Sequence, residues 1–304
     1  MHMRGFLNID KPSGMTSFDV VRAVRRASGV KRVGHAGTLD PLATGVLPVA
    51  VGDATRLIDA LIDAPKRYTA EVTLGAETET DDSEGEVVAR ADAALVTSEQ
   101  VTEALAQFTG WQWQTPPAYS AIKRGGVPAY RSARKGETLE LEPRQVVAHA
   151  LTLVAYEAGR CVIDVRCGKG YYVRALARDL GRALGVYGHV SALRRTAVGP
   201  FTAARAVPLA EATSRLERHD VATLLHAPDS VLAHWPAVIL DRREAGEVRL
   251  GREVSPPPRA WGAVTPGTRA RAYSLDGVFV ALTEATDGQR WHPHRVFQDE
   301  TPSH

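Results

Sequence analysis

The chain of 304 residues is poor in cysteine, and its two cysteines are badly placed for a disulfide. Cys161 and Cys167 fall on one predicted strand. Six residues of strand span roughly 20 Å, which is far more than the Cα separation that a disulfide allows. Their even spacing puts both side chains on one face, where they are predicted to pack in the core. The ten histidines show no metal-ligand spacing, so the sequence predicts no metal site.

Long apolar runs are also missing from the chain. No stretch approaches the length needed to span a bilayer, and residues 1–6 lack the apolar core of a secretory signal. With 44% hydrophobic and 24% charged residues, the composition is that of a globular protein with a sizeable core. We therefore expect a cytoplasmic protein.

The net charge is only +2 and by itself predicts no polyanionic partner. Its distribution is more informative, because basic residues concentrate in two segments and acidic residues in a third, 77–86. Such a polarised distribution suits a nucleic acid, although arginine-rich faces exposed to solvent would give the same pattern. The basic residues are Arg160, Arg166, Lys169, Arg174, Arg178, Arg182, Arg194 and Arg195 in one segment, and Lys123, Arg124, Arg131, Arg134 and Lys135 in the other.

Glycine is concentrated in Gly34–Gly45, which holds three glycines, one histidine and one carboxylate in twelve residues. An apolar run to Val51 follows. Glycines at this density allow tight turns and a close approach of the backbone to a ligand, and Pro41 favours an extended conformation at Asp40. The stretch therefore predicts a rigid loop that presents Asp40 beside the start of a buried strand. Ordinary turn chemistry explains the same residues, so the motif alone does not establish a site.

Periodicity predicts helices and strands that are intermixed without a regular βαβ rhythm, which favours the α+β class. Ser17 is predicted to cap a helix that ends at Gly29. Residues 66–75 alternate cleanly between apolar and polar, and this places Tyr68 on the buried face of a strand.

The chain divides into two predicted domains, over residues 1–230 and 235–304. From Trp235 onward the sequence predicts short strands separated by Asp-Gly turns, which indicates a small β-rich domain. Within the first domain, residues 114–136 have no helical or strand period over most of their length and are aromatic, basic and glycine-containing. We expect this segment to form a flap that orders on a ligand.

Five motifs occur in order along the chain, namely Asn8–Ser17, Gly34–Gly45, Lys66–Tyr68, Gly168–Arg174 and Leu193–Arg195. Together they closely resemble the bacterial tRNA pseudouridine-55 synthases of the TruB type, over essentially the whole chain. The resemblance implies the pseudouridine synthase fold, with a mixed, largely antiparallel central sheet flanked by helices and loops. It also implies that 114–136 is an RNA-binding flap and that 235–304 is a small PUA-like RNA-binding domain.

The resemblance also implies roles for residues of these motifs. Asp40 matches the carboxylate that attacks an electrophilic carbon, and Arg174 matches the arginine that counters its desolvation. Tyr68 matches the aromatic residue that stacks on the target base and can help to remove the C5 proton. Whether the aspartate adds to C6 of the base or attacks C1′ is left open. The positions implied to contact the substrate are His35, Tyr172, Leu193 and Lys11.

The activity implied by the resemblance is isomerisation of uridine 55 in the T loop of tRNA to pseudouridine. The enzyme would extrude the nucleotide, break the N1–C1′ bond, turn the base over and rejoin it through C5. The reaction needs no redox cofactor and no metal, and the sequence offers neither. The implied partner is tRNA, bound at its T arm and acceptor end by a monomer. No membrane and no protein partner is implied.

Two other functions fit parts of the sequence. A non-catalytic tRNA-binding or tRNA-folding protein would use the same scaffold, but the set of Asp40, Tyr68 and Arg174 argues against binding alone. A phosphate cradle at Gly34–Gly45 is a weaker alternative. The stretch lacks both the Lys-Ser/Thr ending of a P-loop and a dinucleotide-type glycine pattern.

Overall fold

Two β-sheets organise the chain. The computed structural model describes residues 3–120, 123–124, 127–128, 141–255, 264–287 and 290–297. Within these ranges the first sheet has eleven strands, all between Gly5 and His226, and a second sheet of four strands lies between Ala237 and Val296. With helices packed on the first sheet, the predicted α+β class is confirmed.

Helices and strands follow one another irregularly along the chain. In chain order the α-helices of the described residues are α1 (Ser17–Ser28), α2 (Ile58–Asp63), α3 (Ser98–Gln107), α4 (Val173–Ala183), α5 (Leu209–Glu217) and α6 (Arg242–Arg249). The strands are β1 (Gly5–Lys11), β2 (Val33–His35), β3 (Thr44–Val51), β4 (Lys66–Leu74), β5 (Ala76–Thr78), β6 (Val87–Arg90), β7 (Gly110–Gln114), β8 (Lys123–Arg124), β9 (Val127–Pro128), β10 (Arg144–Glu157), β11 (Arg160–Cys167), β12 (Gly188–Val198), β13 (Phe201–Thr202), β14 (Val207–Pro208), β15 (Leu225–His226), β16 (Ala237–Leu240), β17 (Arg269–Ser274), β18 (Phe279–Ala285) and β19 (Trp291–Val296). None of the helices in the described ranges has the length and apolar character needed to cross a membrane.

The large sheet is mixed and largely antiparallel, as predicted. Its main path runs β14-β1-β3-β12-β4-β11-β10-β7, and along it the β14–β1 and β3–β12 pairs are parallel. Strand β4 is antiparallel to both of its neighbours, with Tyr68 opposite Val165 on β11 and opposite Arg195 on β12. The register therefore brings residues of two distant motifs side by side.

The main core lies on the face of this sheet that α3 and α4 cover. The alternation predicted for β4 is confirmed, because Ala70 and Val72 are fully buried whereas Glu71 between them is exposed. Cys161 and Cys167 are buried on β11 as free thiols, in agreement with the predicted core packing. The buried face of β4 thus positions Tyr68 at its own beginning.

Helix α1 begins differently from the prediction. The N-cap is Thr16, so the prediction that Ser17 caps the helix is wrong. The Thr16 hydroxyl accepts a hydrogen bond from the Asp19 amide, and the Asp19 carboxylate accepts one from the Thr16 amide. This capping box satisfies the first turn without Ser17, whose hydroxyl binds outside the helix. Gly29 ends the helix in the left-handed region, with φ 68°, as predicted.

The C-terminal domain is β-rich and contacts the large sheet through an aromatic cluster. Phe279 and Phe297 pack in one apolar group with Phe6 of β1, and the first two rings lie 4.8 Å apart. Arg56 donates a hydrogen bond of 2.6 Å to the Val296 carbonyl, and its guanidinium lies 5.3 Å from the centre of the Phe297 ring. Apolar packing and a cation–π contact thus stabilise the contact between the two sheets.

Most of the predicted flap lies outside the described residues, namely 121–122, 125–126 and 129–136. Between these gaps, β8 and β9 pair with each other in antiparallel fashion. The first residues of the segment, 114–120, are described and contact α4, as shown below.

Candidate active site

A cleft of about 250 Å³ opens at one end of β4, where the Asp40 loop and the start of α4 approach the strand. Its size is just below the range usual for small-molecule sites, roughly 300–1,000 Å³. Its walls include Asp40, Tyr68, Tyr172, Arg174, Leu193 and Arg195. The structure therefore brings five of the seven predicted site residues into one cleft.

Helix α1 fixes the backbone immediately before Asp40. The Ser17 hydroxyl donates to the Leu39 carbonyl at 3.1 Å and accepts from the Leu39 amide at 2.8 Å, and both bonds are buried. A buried hydroxyl that satisfies both backbone groups of one residue holds that residue in place. The backbone of Leu39, immediately before Asp40, is therefore fixed.

The ammonium of Lys11 fixes the residue immediately after Asp40. Lys11 is fully buried, and its Nζ donates to the carbonyls of Pro12 at 2.9 Å, Met15 at 2.6 Å and Pro41 at 3.2 Å. Burial lowers the pKa of Lys11 to about 8, while the nearby Asp40 carboxylate raises it. One of these contacts is with the Asp40 loop and two are with the turn that follows β1, and the predicted contact of Lys11 with the substrate stays a prediction.

A second cation, Arg195 of β12, also binds the loop. It is 1% exposed, and its guanidinium donates to the carbonyls of Val46 at 2.7 Å, Gly37 at 3.1 Å and Thr38 at 3.3 Å. Gly45 has φ 97°, and a Cβ atom there would lie 2.2 Å from the Arg195 carbonyl oxygen. Only glycine allows this approach, so the loop depends on Gly45 to close around the guanidinium.

The carboxylate of Asp40 forms an ion pair with Arg174 at the cleft. Arg174 Nε lies 2.9 Å from Asp40 Oδ2, and the two side chains are 4% and 35% exposed respectively. Burial raises the pKa of Asp40, and the Arg174 guanidinium is the main influence that lowers it. The open side of the carboxylate faces the cleft, where it can reach a bound molecule.

Arg174 is itself fixed by three further groups. Its Nη1 donates to the Thr80 carbonyl at 2.8 Å and lies 3.2 Å from Asp82 Oδ2, and its Nη2 donates to the Tyr119 carbonyl at 2.9 Å. The Asp82 side chain is 3% exposed. Two carboxylates and two carbonyls therefore surround one guanidinium, which holds its charge beside Asp40.

The next two arginines of α4 also face the acidic segment. Arg178 lies 2.9 Å from Asp81, and Arg182 lies 2.5 Å from Glu77. Six of the eight basic residues in the segment 160–195 bind carboxylates or buried carbonyls, and these are Lys169, Arg174, Arg178, Arg182, Arg194 and Arg195. The clustering in the sequence thus overestimated the basic surface, because it does not show which charges the fold neutralises.

Tyr68 lies half-buried on the cleft wall beside Arg195. Burial raises the pKa of its phenol, which the Arg195 charge opposes, so the hydroxyl is protonated at neutral pH. Leu193, 7% exposed, forms an apolar part of the same wall. Tyr172 occupies the N-cap position of α4, where the Gln114 side chain accepts from its amide at 2.8 Å and donates to its carbonyl at 3.1 Å.

His35, like Lys11, is a predicted site residue that does not line the described part of the cleft. It lies on β2 opposite Val49 and is half-buried. Burial lowers the pKa of its imidazole, and the charge of Arg195 adds to this effect, so the ring is neutral at pH 7. Its Nδ1 is enclosed and has no hydrogen-bond partner among the described residues. Its predicted contact with the substrate stays a prediction.

Lys66 lines the cleft, although no role in the site was predicted for it from the sequence. Its ammonium donates to the carbonyls of Leu61 and Ile62, and burial lowers its pKa to about 8. The strand alternation did contain this signal, because Lys66 stands two residues before Tyr68 and must share its face. A lysine at an inward position of a strand requires partners, and the sequence did not show where they are.

The comparisons with known proteins agree with the motifs. The model described as "TruB family pseudouridylate synthase (N terminal domain)" matches residues 25–173, and that described as "tRNA pseudouridylate synthase B C-terminal domain" matches residues 174–229. A relative from Azoarcus sp. (strain BH72), named tRNA pseudouridine synthase B, is 45% identical over 262 residues, which are 86% of this chain and 86% of that protein. A relative of the same name from Dehalococcoides mccartyi (strain CBDB1) is 38% identical over 300 residues, covering 99% of this chain and 98% of that protein.

A solved structure is similar in fold. It is described as a Cbf5-Nop10-Gar1 complex, and its matching chain has a TM-score of 0.74 at 26% identity, covering 97% of this chain and 85% of that one. Together the matches define the class of the protein, the pseudouridylate synthases, which are isomerases. Within that class the chain belongs to the TruB family. The resemblance carried by the five motifs is confirmed, as is the fold that it implies.

Proposed function

We propose that this enzyme converts uridine 55 in the T loop of tRNA to pseudouridine, with Asp40 as the attacking carboxylate. The relatives that share 38–45% of its residues are named tRNA pseudouridine synthase B, which supports tRNA as the substrate. The observation that carries the role of Asp40 is its ion pair with Arg174 in a cleft that also contains Tyr68.

The environment of Asp40 suits a nucleophile. A carboxylate enclosed by protein and a bound nucleotide tends to become neutral, and a neutral carboxyl group does not attack carbon. Arg174 opposes this tendency at 2.9 Å, and it is itself held by Asp82 at 3.2 Å. The ionised carboxylate then either adds to C6 of the uracil or attacks C1′. Both routes begin with the same charged group.

The walls of the cleft suit an extruded base, which no longer stacks on its neighbours in the RNA. Extruding a nucleotide costs a few kcal/mol, and stacking on an aromatic ring returns roughly 1–3 kcal/mol per base. Tyr68 offers such a ring, while Leu193 and Tyr172 offer further surface. The phenol of Tyr68, protonated at neutral pH, has an oxygen that accepts or donates a hydrogen bond where the C5 proton must leave.

The remaining parts of the proposal concern the rest of the tRNA. The segment 114–136 closes over the T arm, and its described beginning is bonded to α4 through Gln114 and Arg174. The C-terminal domain, from residue 235, acts as a PUA-like module at the acceptor end. The protein works as a monomer. RNA binding by cationic side chains makes the affinity depend on salt.

Incubation with an unmodified tRNA transcript, followed by mapping of pseudouridine, tests this function. We expect wild-type protein to modify the T-loop uridine and Asp40→Asn to form no product while retaining affinity for the tRNA. Asp220→Asn is the matched control, because Asp220 also pairs with an arginine, Arg215 at 3.0 Å, but on the exposed surface. No product with wild-type protein would refute the proposed function.

The same experiment separates catalysis from binding alone. If wild-type protein binds the transcript tightly but leaves its uridines unchanged, the chain is a tRNA-binding protein on an enzyme scaffold. If Asp40→Asn still forms product, the nucleophile is another residue. Full activity of Asp220→Asn shows that the loss at Asp40 does not come from removing an ion pair in general.

A further inference from the structure

Two exposed tryptophans stand on an edge strand of the large sheet. Trp111 and Trp113 are 71% and 72% exposed, and both lie on β7, which ends the main path of the sheet. Alternate residues of a strand share one face. Gln114, one residue further on, points to the opposite side, where it is 3% exposed and bonded to Tyr172. The tryptophans therefore lie on the open face of the sheet, behind the cleft wall.

The neighbouring strands continue this face. Trp111 is paired with Val147 and Trp113 with Gln145 on β10. His149 is exposed further along the same strand. On β11 the inward positions are buried, whereas Arg166 is exposed on the open face. The surface formed by Trp111, Trp113, His149 and Arg166 is called the tryptophan face below.

The charge of the tryptophan face is positive. Arg166 is exposed, and among the described residues no carboxylate oxygen lies within 4.0 Å of its guanidinium nitrogens. This distinguishes Arg166 from most arginines of its segment, which are paired. Aromatic rings interleaved with unpaired cations are the usual surface for unpaired nucleic acid, because rings stack on bases and cations bind phosphates.

The tryptophan face is continuous with the cleft. Gly168 lines the cleft, and a Cβ atom placed on it would lie 2.6 Å from Val147 and 3.8 Å from Nε2 of His149. The Gly168 amide also donates to the Val147 carbonyl at 2.9 Å. An RNA strand that enters the cleft can therefore continue onto this face.

We propose that the tryptophan face is a second RNA contact, on which unpaired nucleotides flanking the target uridine stack against Trp111 and Trp113 while Arg166 binds their phosphates. The proposal rests on the proposed function, because it takes the strand that enters the cleft to be RNA. It adds a platform for the flanking nucleotides outside the catalytic cleft.

Removing the two rings tests the proposal. We expect the double variant Trp111→Ala/Trp113→Ala to bind an unmodified tRNA transcript at least about 25-fold more weakly than wild type, since each of the two lost stacked bases costs about 5-fold to 150-fold. Trp111→Phe/Trp113→Phe should restore most of the affinity, because a phenyl ring also stacks. Leu95→Ala is the matched control, since Leu95 is 90% exposed and lies away from this face. Thermal unfolding of each variant verifies that it is folded.

A second variant tests the cation separately. We expect Arg166→Gln to reduce the slope of log Kd against log salt by about 0.7, the value for one phosphate contact with a single strand. Arg160→Gln, at the other end of the same strand, is the control and should leave the slope unchanged.

The outcomes separate the second contact from the proposed function. Unchanged affinity of the alanine double variant, with wild-type protein still forming pseudouridine, overturns the tryptophan face and leaves the function intact. A loss of affinity together with no product from wild-type protein supports the face and refutes the function. If the double variant keeps its affinity but changes the mass of the protein in solution, the face binds another copy of the chain and the proposal is wrong.

Discussion

Replacing Arg174 by glutamine removes the cation between two carboxylates. Its nitrogens lie 2.9 Å from Asp40 and 3.2 Å from Asp82. Asp40 is 35% exposed and regains water when its partner is lost, whereas Asp82 is 3% exposed and does not. Removing one partner of a buried ion pair costs about 3–5 kcal/mol. We therefore expect the free energy of unfolding to fall by about this amount, mainly because of Asp82.

The same variant should lose activity, with a characteristic dependence on pH. Arg174 lowers the pKa of Asp40 against the effect of burial, so its removal raises that pKa further. Only the ionised carboxylate attacks carbon, and the residual activity should therefore begin at a higher pH than in wild type. Loss of a preorganised charge at a reacting group typically costs about 100-fold to 1,000-fold in kcat.

A second substitution separates stability from catalysis. Adding Asp82→Asn to Arg174→Gln removes the orphaned buried charge, so it should restore about 1–3 kcal/mol of unfolding free energy without restoring activity. Urea denaturation and single-turnover rates of pseudouridine formation over a range of pH measure both effects. A loss below about 1 kcal/mol in Arg174→Gln, or a further loss of stability in the double variant, would refute the reasoning.

Two further predictions concern the buried lysines. Burial lowers the pKa of Lys66 to about 8 from 10.5, so the folded chain releases this proton at a lower pH than the unfolded chain. The free energy of unfolding of wild type relative to Lys66→Met should therefore rise by about 3 kcal/mol between roughly pH 7 and pH 11, measured by urea denaturation, and a difference independent of pH would contradict this. Lys11→Met leaves three carbonyls without a donor, so stability should fall by about 2–4 kcal/mol and kcat should fall with it, because one carbonyl adjoins Asp40. An unchanged kcat would show that other contacts suffice to hold the loop.

The features of the fold that depend on neighbouring residues were predictable from the sequence. The alternation of β4 placed Tyr68 on the buried face, and Gly29 ended α1, because both signals lie within one turn or one strand. The five motifs also placed Asp40 and Arg174 in one site, although the spacing of the residues did not. The error at Ser17 is of the same local kind, since Thr16 one residue earlier has an equally suitable hydroxyl.

The partners of buried charges were not predictable, because they come from distant parts of the chain. Arg195 binds carbonyls that precede it by 149 to 158 residues. Arg178 and Arg182 are paired with residues of the acidic segment 77–86, which precede them by 97 and 105 residues. A sequence shows where charges are concentrated, but the fold decides which of them are neutralised and which remain for a ligand.

The glycines and the buried cations of the Asp40 loop are consequences of one another. The backbone of Gly45 contacts the backbone of Arg195 and leaves no room for a Cβ atom. The loop therefore turns there with a positive φ, which residues other than glycine avoid. Such a turn directs backbone carbonyls inward, where no strand can pair with them, and each needs a buried donor. Lys11 and Arg195 supply these donors, which explains why charges that are 0% and 1% exposed are stable there. Glycine alone would leave the loop loose, and a displacement of about 1 Å can cost a catalytic group 100-fold in rate. The cations therefore restore the rigidity that the glycines remove, and this rigidity keeps Asp40 in a fixed position.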